Sequence, residues 1–524
     1  MTLGALAAAA CGGDDSTSGA ASSSSSAVGT GGAGGAASSS SSAGGAGGAG
    51  GATTGAGGAT TGAGGAGGAG GAGGATTGAG GAGGMPMPEL DTFVFYGDFK
   101  TNGVEEIGVL TIPGMTSSLM IPGVIKLEQT YDVAQSADTK LLAIAFRADG
   151  AAPKVVVGNA DGSGTPKVVA DFVGQKNMAA NTEVSGLAFS PDGKFLVLRS
   201  DSAVDGQTLA YVVPVDGSMT QPKLVSPSLV ATQELTTIAI WLDATHLAFG
   251  GDLIANDASN LFTVDVTVAN PAPKPALMQN TLTTGDVGKN VRGPLYLGAD
   301  SKLYFRSSHV EAGKTLIYRC DLNGMNVQPV PAATVLNNNV AVPVSTFRIS
   351  RDRTQLALAI DEKGNGLQQI YTAKLDDAAP TKRTAFTYAP DVMKSFGVQP
   401  GAGTFVWSPD GASLAVVGDW PVDAAKDKDN DYALFVVPTT GNPGATRLLN
   451  VPTPAMDFDV DAVTWSLDAK RLVVLADLVV KNNSELYATS DLVTADQNPM
   501  NLRVVEVPMG GDVQRVQTIA PVTP

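Results

Sequence analysis

The chain has two cysteines, Cys11 and Cys320, and two histidines, His246 and His309, in 524 residues. That scarcity leaves no disulfide framework and no Cys/His zinc site of ordinary spacing. No apolar run approaches the ~18 residues that a membrane-spanning helix needs. Residues 1–88 contain no Lys, no Arg and no aromatic residue, and their only charges are Asp14 and Asp15. Such a stretch cannot bury enough apolar surface to offset its ordering entropy, and disorder is expected there. Basic residues are few overall. Lys and Arg number 33 against 49 Asp and Glu, for a formal net charge of −16. Binding a phosphate backbone relies on Lys and Arg, so this balance excludes nucleic acid as a partner. It is compatible with basic protein partners, with divalent cations, or with solubility alone.

What is present begins with a short apolar run, Leu3-Gly-Ala-Leu-Ala-Ala-Ala-Ala-Cys11, followed by Gly12 and Gly13. Small residues ending at a cysteine resemble the end of a bacterial lipoprotein signal peptide. That family acylates the cysteine, which implies lipidation at Cys11. Ala8 stands where Leu is usual, and no basic residue precedes the run. Residues 12–88 are Ser runs and Gly-Gly-Ala repeats with Thr-Thr pairs. The repeat lacks the Pro of a collagen helix and reads as a flexible linker of roughly 50 Å root-mean-square reach. Three regions are therefore expected: a signal remnant at 1–11, a disordered tether at 12–88 and a folded part at 89–524.

The folded part repeats. Leu187-Ala-Phe-Ser-Pro-Asp-Gly-Lys-Phe-Leu196 aligns with Val406-Trp-Ser-Pro-Asp-Gly-Ala-Ser-Leu414. Degenerate copies place a turn aspartate at Asp138, Asp192, Asp243, Asp352, Asp410 and Asp468, with a leucine four residues later each time. One more copy carries Asp300. Nine residues after the turn, a second aspartate recurs at Asp201, Asp252, Asp361, Asp419 and Asp477. Pro presets φ, Asp bonds nearby amides and Gly takes φ > 0, so each unit predicts strand, turn, strand. The apolar runs that follow, such as Phe195 to Leu198 and Leu472 to Leu475, fit strands covered on both faces. Third strands (Leu209 to Val215, Leu316 to Cys320, Leu434 to Val437) and weaker fourth strands complete a propeller blade.

First strands are expected near Tyr131, Val184, Thr236, Val291, Val344, Gly403 and Asp461. A surplus strand at Val513 to Ile519 complements Phe93 to Gly97 and Val104 to Ile112, which lack a first strand. The expected fold is all-β, a propeller of four-stranded blades. Eight blades are favoured, the eighth composed from both termini, and seven are the alternative. The Ser-Pro-Asp-Gly units at 190–193 and 408–411 resemble the WD40-like repeats of the TolB-type propeller. This resemblance covers most of 131–505 and implies a fold and an envelope setting. The small α/β domain that precedes the propeller in that family has no counterpart here.

Candidate chemistry is sparse. Asp427, Asp429 and Asp431 alternate like the first ligands of a calcium loop. Tyr432 occupies the glycine position of such a loop, and Lys426 and Lys428 oppose a cation, so a solvated loop is the competing reading. The recurrent aspartates are expected to bond backbone locally. His246 is expected to pack at a strand entrance, and His309 to lie in a hairpin loop. Cys320, Trp407 and Trp465 are expected in the core, and Trp420 is a candidate interaction anchor. No Gly-x-Ser-x-Gly elbow follows the repeats, which excludes a prolyl-oligopeptidase-like peptidase. The expectation is a non-enzymatic, envelope-tethered, monomeric scaffold without a cofactor. It would bind an unidentified protein or envelope component and touch the membrane only through the lipid anchor. A lactonase- or lyase-type propeller enzyme is the alternative.

Overall fold

In the computed structural model, the described residues lie between Asp91 and Ala520. Outside them fall 1–90 and several loops, the longer ones being 174–182, 277–289, 337–345, 386–396, 420–431, 450–459, 490–501 and 505–515. Cys11, the tether, His309, Trp420 and the trio Asp427, Asp429 and Asp431 therefore lie outside the described residues.

The fold is a β-propeller built from antiparallel four-stranded sheets. Among the described residues, seven consecutive units are formed. Their inner strands are Leu127–Gln135 (unit I), Val184–Phe189 (II), Ile240–Trp241 (III), Val291–Leu297 (IV), Thr346–Ile349 (V), Phe405–Trp407 (VI) and Val460–Trp465 (VII). Their second strands are Leu141–Ala148, Phe195–Ser200, His246–Gly251, Lys302–Ser307, Gln355–Ile360, Ser413–Asp419 and Leu472–Val480. Third and fourth strands follow in chain order, the fourth often only two residues long, as at Lys223–Leu224. One short helix, Pro331–Leu336, occurs among the described residues.

Strand alternation explains the packing. Successive side chains of a strand point to opposite faces of its sheet. Leu196 and Leu198 enter a core with Ala143, Val155 and Val157 of unit I. Val197, between them, enters a different core with Leu247, Phe249 and Trp241 of unit III. Unit V divides the same way: Leu356 and Leu358 face Tyr304 and Ile317 of unit IV, whereas Ala357 and Ala359 face Leu414 and Val416 of unit VI. Each sheet is thus apolar on both faces, which is why its second strand reads as a continuous hydrophobic run.

The turn after each inner strand is one recurring device. Ser136, Ser190, Ser350, Ser408 and Ser466 donate through Oγ to the aspartate two residues on, at 2.7, 2.8, 2.5, 2.6 and 2.6 Å. Each serine Oγ also accepts the amide five residues on, as Phe195 N at 2.9 Å and Arg471 N at 2.8 Å. The aspartate accepts a further amide, as Lys194 N at 3.2 Å and Ala412 N at 3.0 Å. The residue after the aspartate is left-handed in five units: Gly193 and Gly411 at φ 70°, Ser301 at 58°, Arg353 at 60° and Ala469 at 59°. In unit IV, Gly298 replaces the serine, and the Tyr304 hydroxyl donates to Asp300 at 2.9 Å instead. A Cβ at Gly298 would collide with Asp300 Oδ1 and with the Tyr304 ring, so that substitute requires glycine.

Neighbouring units are also pinned by indole donors. Trp241 Nε1 bonds Ala188 O at 3.0 Å, Trp407 Nε1 bonds Arg348 O at 3.3 Å, and Trp465 Nε1 bonds Val406 O at 3.2 Å. Each ties an inner strand to that of the preceding unit, and Trp407 and Trp465 are buried as expected. A buried indole needs such a partner.

The composite sheet is present. Val516–Ala520 pairs antiparallel with Asp91–Thr101, matching Val94 to Ala520 and Tyr96 to Thr518. Asp91–Thr101 pairs with Val104–Ile112, and that strand with Thr116–Leu119. The set connects to unit I through one pair, Glu105 with Leu127, and its C-terminal strand contacts the first three strands of unit VII. In unit III the inner strand begins at Ile240 rather than near Thr236. Only Ile240–Trp241 is a strand there, because the Thr237 hydroxyl takes the Gly250 amide at 2.7 Å in place of a backbone carbonyl.

This geometry can be tested at the closure and at the turns. Deleting residues 511–524 removes the inner strand of the composite sheet and exposes an edge. A melting temperature lower by several degrees or more, with aggregation, is expected in calorimetry. A Cβ added at Gly193 would meet no heavy atom within 4 Å, so Gly193→Ala tests backbone conformation alone. It should cost about 1 kcal/mol in chemical denaturation, and Ala469→Gly should stabilise by a similar amount.

Candidate functional site

Several polar groups that do not serve the turns lie toward the opposite end of the inner strands. Two short rules place them. In units II and III the second recurrent aspartate ties the end of the second strand to a glutamate amide ahead of the inner strand. Asp201 Oδ1 accepts Glu183 N at 2.9 Å, and Asp252 Oδ1 accepts Glu234 N at 2.5 Å. Unit IV does the same with Ser308 Oγ accepting Asn290 N at 2.9 Å. These aspartates therefore act across the sheet, over 18 residues, rather than within their own turn as the sequence suggests.

The second rule is a bulge. The register of Val184–Phe189 against Phe195–Ser200 shifts between Ser185 and Ala188. Gly186 sits there at φ 65°, and a Cβ on it would lie 3.2 Å from Ile238 Cγ2 and 3.3 Å from Arg199 Nε. Glycine is required both for the left-handed backbone and for the close approach. Arg199 lies buried against this bulge, at 8% exposure, and its Nη2 donates to Ser185 Oγ at 3.3 Å.

Carboxylates from three successive units surround Arg199. Asp132 of unit I accepts the amides of Val133 at 2.8 Å and of Leu187, in unit II, at 2.9 Å. Burial pushes its carboxyl up, against the pull of those amides and of Arg199. Glu183 and Glu234 are also pushed up, first by partial burial and then by Asp201 and Asp252 respectively, with Arg199 opposing in both. Arg199 opposes the rise at all three carboxyls, and Asp132 is also tied to two backbone amides. The set contains no nucleophile paired with a base, and no group of three metal-ligating side chains is placed to hold an ion among the described residues.

A separate groove of about 720 Å³ opens between units I and II at the turn end, bordered by Leu141, Gly158, Lys167, Lys194, Phe195 and Asp216. It is mostly apolar and carries no paired catalytic groups.

Other expected positions resolve as follows. Cys320 is fully buried, and burial pushes its thiol up to about 12, which makes it inert. His246 does not pack. Its ring Nδ1 lies 2.9 Å from Asp243 Oδ2, with 45% of the side chain exposed. Arg199, Asp132 and Glu234 do not stand out in the sequence. A usable signal exists: Glu183-Val184 opens an inner strand and Glu234-Leu235 begins at an isolated bridge to Gly251, each 18 residues before its aspartate, Asp201 or Asp252.

Replacing Arg199 by Met should remove the cation that opposes the rise at these carboxyls and cost about 1 kcal/mol at pH 7, since solvent screens the exposed Glu183 and Glu234. The sign with pH follows from their raised values. A carboxyl whose folded value exceeds its unfolded one disfavours the fold increasingly as pH rises from about 4. The deficit of the variant, measured by urea denaturation, should be largest at pH 7–8 and smallest near pH 4.

No family model matches the chain, and neither does any curated protein. Among solved structures, a putative TolB from Agrobacterium tumefaciens is 15% identical, with 62% of this chain and 96% of that one covered and a TM-score of 0.34. The β-propeller domain of the Trilobed protease from Pyrococcus furiosus is 13% identical, with 58% and 85% covered and a TM-score of 0.36. An oligogalacturonate lyase from Vibrio parahaemolyticus is 14% identical, with 77% and 97% covered and a TM-score of 0.45. At these identities the likeness extends to the fold and no further.

Proposed function

We propose that this chain is a non-enzymatic binding scaffold, held at a bacterial cell envelope by a lipid on Cys11 and presented on the tether 12–88. The observation that carries the scaffold reading is the fate of the polar groups at the inner-strand ends. Asp201 and Asp252 hold backbone amides, and Asp132, Glu183 and Glu234 share the field of Arg199. Groups so engaged fix structure and present a polar surface. A lactonase- or lyase-type chemistry would need convergent acid, base or metal-binding groups there. The similar structures include a TolB, a protease domain and a lyase, and so favour neither reading. No helix among the described residues is long and apolar enough to cross a membrane. Calcium at Asp427, Asp429 and Asp431 remains a proposal resting on their spacing alone.

Acylation would anchor the chain stably, since each buried CH₂ contributes about 0.8 kcal/mol and two or more acyl chains suffice. The test uses the full chain in a bacterial host, with a basic segment added ahead of Met1 to supply the charged region that secretion reads. Wild-type protein should enter the detergent phase on Triton X-114 partitioning, and Cys11→Ser should stay in the aqueous phase. Both should capture the same component from envelope extracts. Equal aqueous partitioning of the two would remove the anchor, and turnover of a captured small molecule would remove the scaffold reading.

A further inference from the structure

The residue that opens the second strand is half-buried in each of the seven described units, and its chemistry divides them. In units III to VII it is polar: His246, Lys302, Gln355, Ser413 and Arg471. In units I and II it is apolar, Leu141 and Phe195. The turn holds both kinds alike. Ser136 and Ser190 take the amides of Leu141 and Phe195 at 2.9 Å, as Ser350 and Ser408 take those of Gln355 and Ser413 at 2.9 Å. The turn therefore asks for no apolar side chain here, and water disfavours one left half-covered.

Leu141 and Phe195 both line the groove between units I and II, whose volume of about 720 Å³ falls within the roughly 300–1,000 Å³ of small-molecule sites. Pro214, the last residue of the third strand of unit II, and Val215 extend the apolar lining. Gly193 leaves space there, since a Cβ on it would meet no heavy atom within 4 Å. One cation issues into this lining. Lys167 pairs with Val157 in the sheet of unit I, and directly opposed residues share a face. Val157 belongs to the core between units I and II, so Lys167 stands on the groove side. Asp216 lines the groove as well and feels the Lys167 charge without forming an ion pair with it. Its carboxylate accepts the Ser218 amide at 2.8 Å. Lys194, the other lysine of the lining, is held by Asp192 at 3.0 Å.

We propose that this groove binds a small molecule with an apolar body and one carboxylate, the body against Leu141 and Phe195 and the carboxylate at Lys167. The apolar body would cover the two side chains that depart from the repeat, and the carboxylate complements the lysine that no aspartate holds. This goes beyond the scaffold reading, because it names a ligand class and depends neither on the lipid anchor nor on a protein partner.

The test is isothermal titration of the full chain carrying Cys11→Ser, which excludes an acyl chain of its own. The ligands are octanoate and, separately, 2-naphthoate, at physiological ionic strength, where general repulsion from a net charge of −16 is screened. Saturable one-to-one binding of at least one is expected. Binding of octanoate alone assigns an aliphatic body, and binding of 2-naphthoate alone an aromatic one. For whichever binds, the uncharged alcohol of the same body should bind at least threefold more weakly. Lys167→Gln should weaken binding about fivefold, Lys167→Arg should keep most of it, and Lys194→Gln should change little. Phe195→Ser, which installs the residue type of unit VI, should weaken binding tenfold or more. Thr165→Trp, at an exposed lining position, should block the groove even if the Phe195 variant fails to fold. Absence of saturable binding of both carboxylates to the parent chain would overturn the proposal. So would equal affinity for the alcohol, or parent affinity in the folded Lys167→Gln and Thr165→Trp chains.

Discussion

Every sheet of this protein is apolar on both faces, and the rest of the architecture answers to that constraint. A four-stranded sheet of this kind has no face to give to water, so no unit can be stable without a neighbour on each side. The second strands show it residue by residue. Leu196 and Leu198 belong to one interface and Val197 to the next, and Ala415 and Val417 face unit VII while Leu414 and Val416 face unit V. The first and last units would each keep a bare face if the series simply stopped. The composite sheet, with Val516–Ala520 hydrogen-bonded to Asp91–Thr101, contacts both of them. Its strands come from the two ends of the folded part because only the ends are available to supply them.

The turns set the spacing on which these interfaces depend. A buried serine bonded to an aspartate closes the turn in five units, so the second strand leaves those units in the same way. That device is polar, yet it lies at buried backbone where its hydroxyl is needed. Hydrogen bonds hold Asp138 and Asp192 below the ordinary carboxylate range, first the bond from Ser136 to Asp138 and that from Lys194 to Asp192. Variation is tolerated where another group makes the same bond, as Tyr304 does for Asp300.

These features explain how far the sequence could be read. The turn chemistry is local and repeated, so Ser-Pro-Asp-Gly at 190–193 and 408–411 exposed the repeat, and the spacing located the inner strands within a few residues. The termini were legible because a missing strand and a surplus one were complementary. The polar set around Arg199 was not legible. Its members meet across unit boundaries, as Asp132 meets the Leu187 amide 55 residues away. A one-chain pattern records period and face but not which neighbour a charged side chain reaches. His246 shows a smaller version of the same limit: the expected packing position carries a half-exposed ring that meets Asp243.

What distinguishes the units is therefore the side chain placed at equivalent backbone positions. The bulge near the start of the inner strand recurs in units II and IV, and it delivers the same second-strand residue to the same place. In unit II that residue is Arg199, whose charge opposes the raised carboxyls of Asp132, Glu183 and Glu234. In unit IV it is Arg306, paired across the strands with Arg292. One backbone framework thus carries different side chains at equivalent places. The repeat determines stability through its shared apolar faces and turns, so its inner-strand ends can vary without disturbing the sheets. Chemical individuality in such a fold belongs to the departures from the repeat.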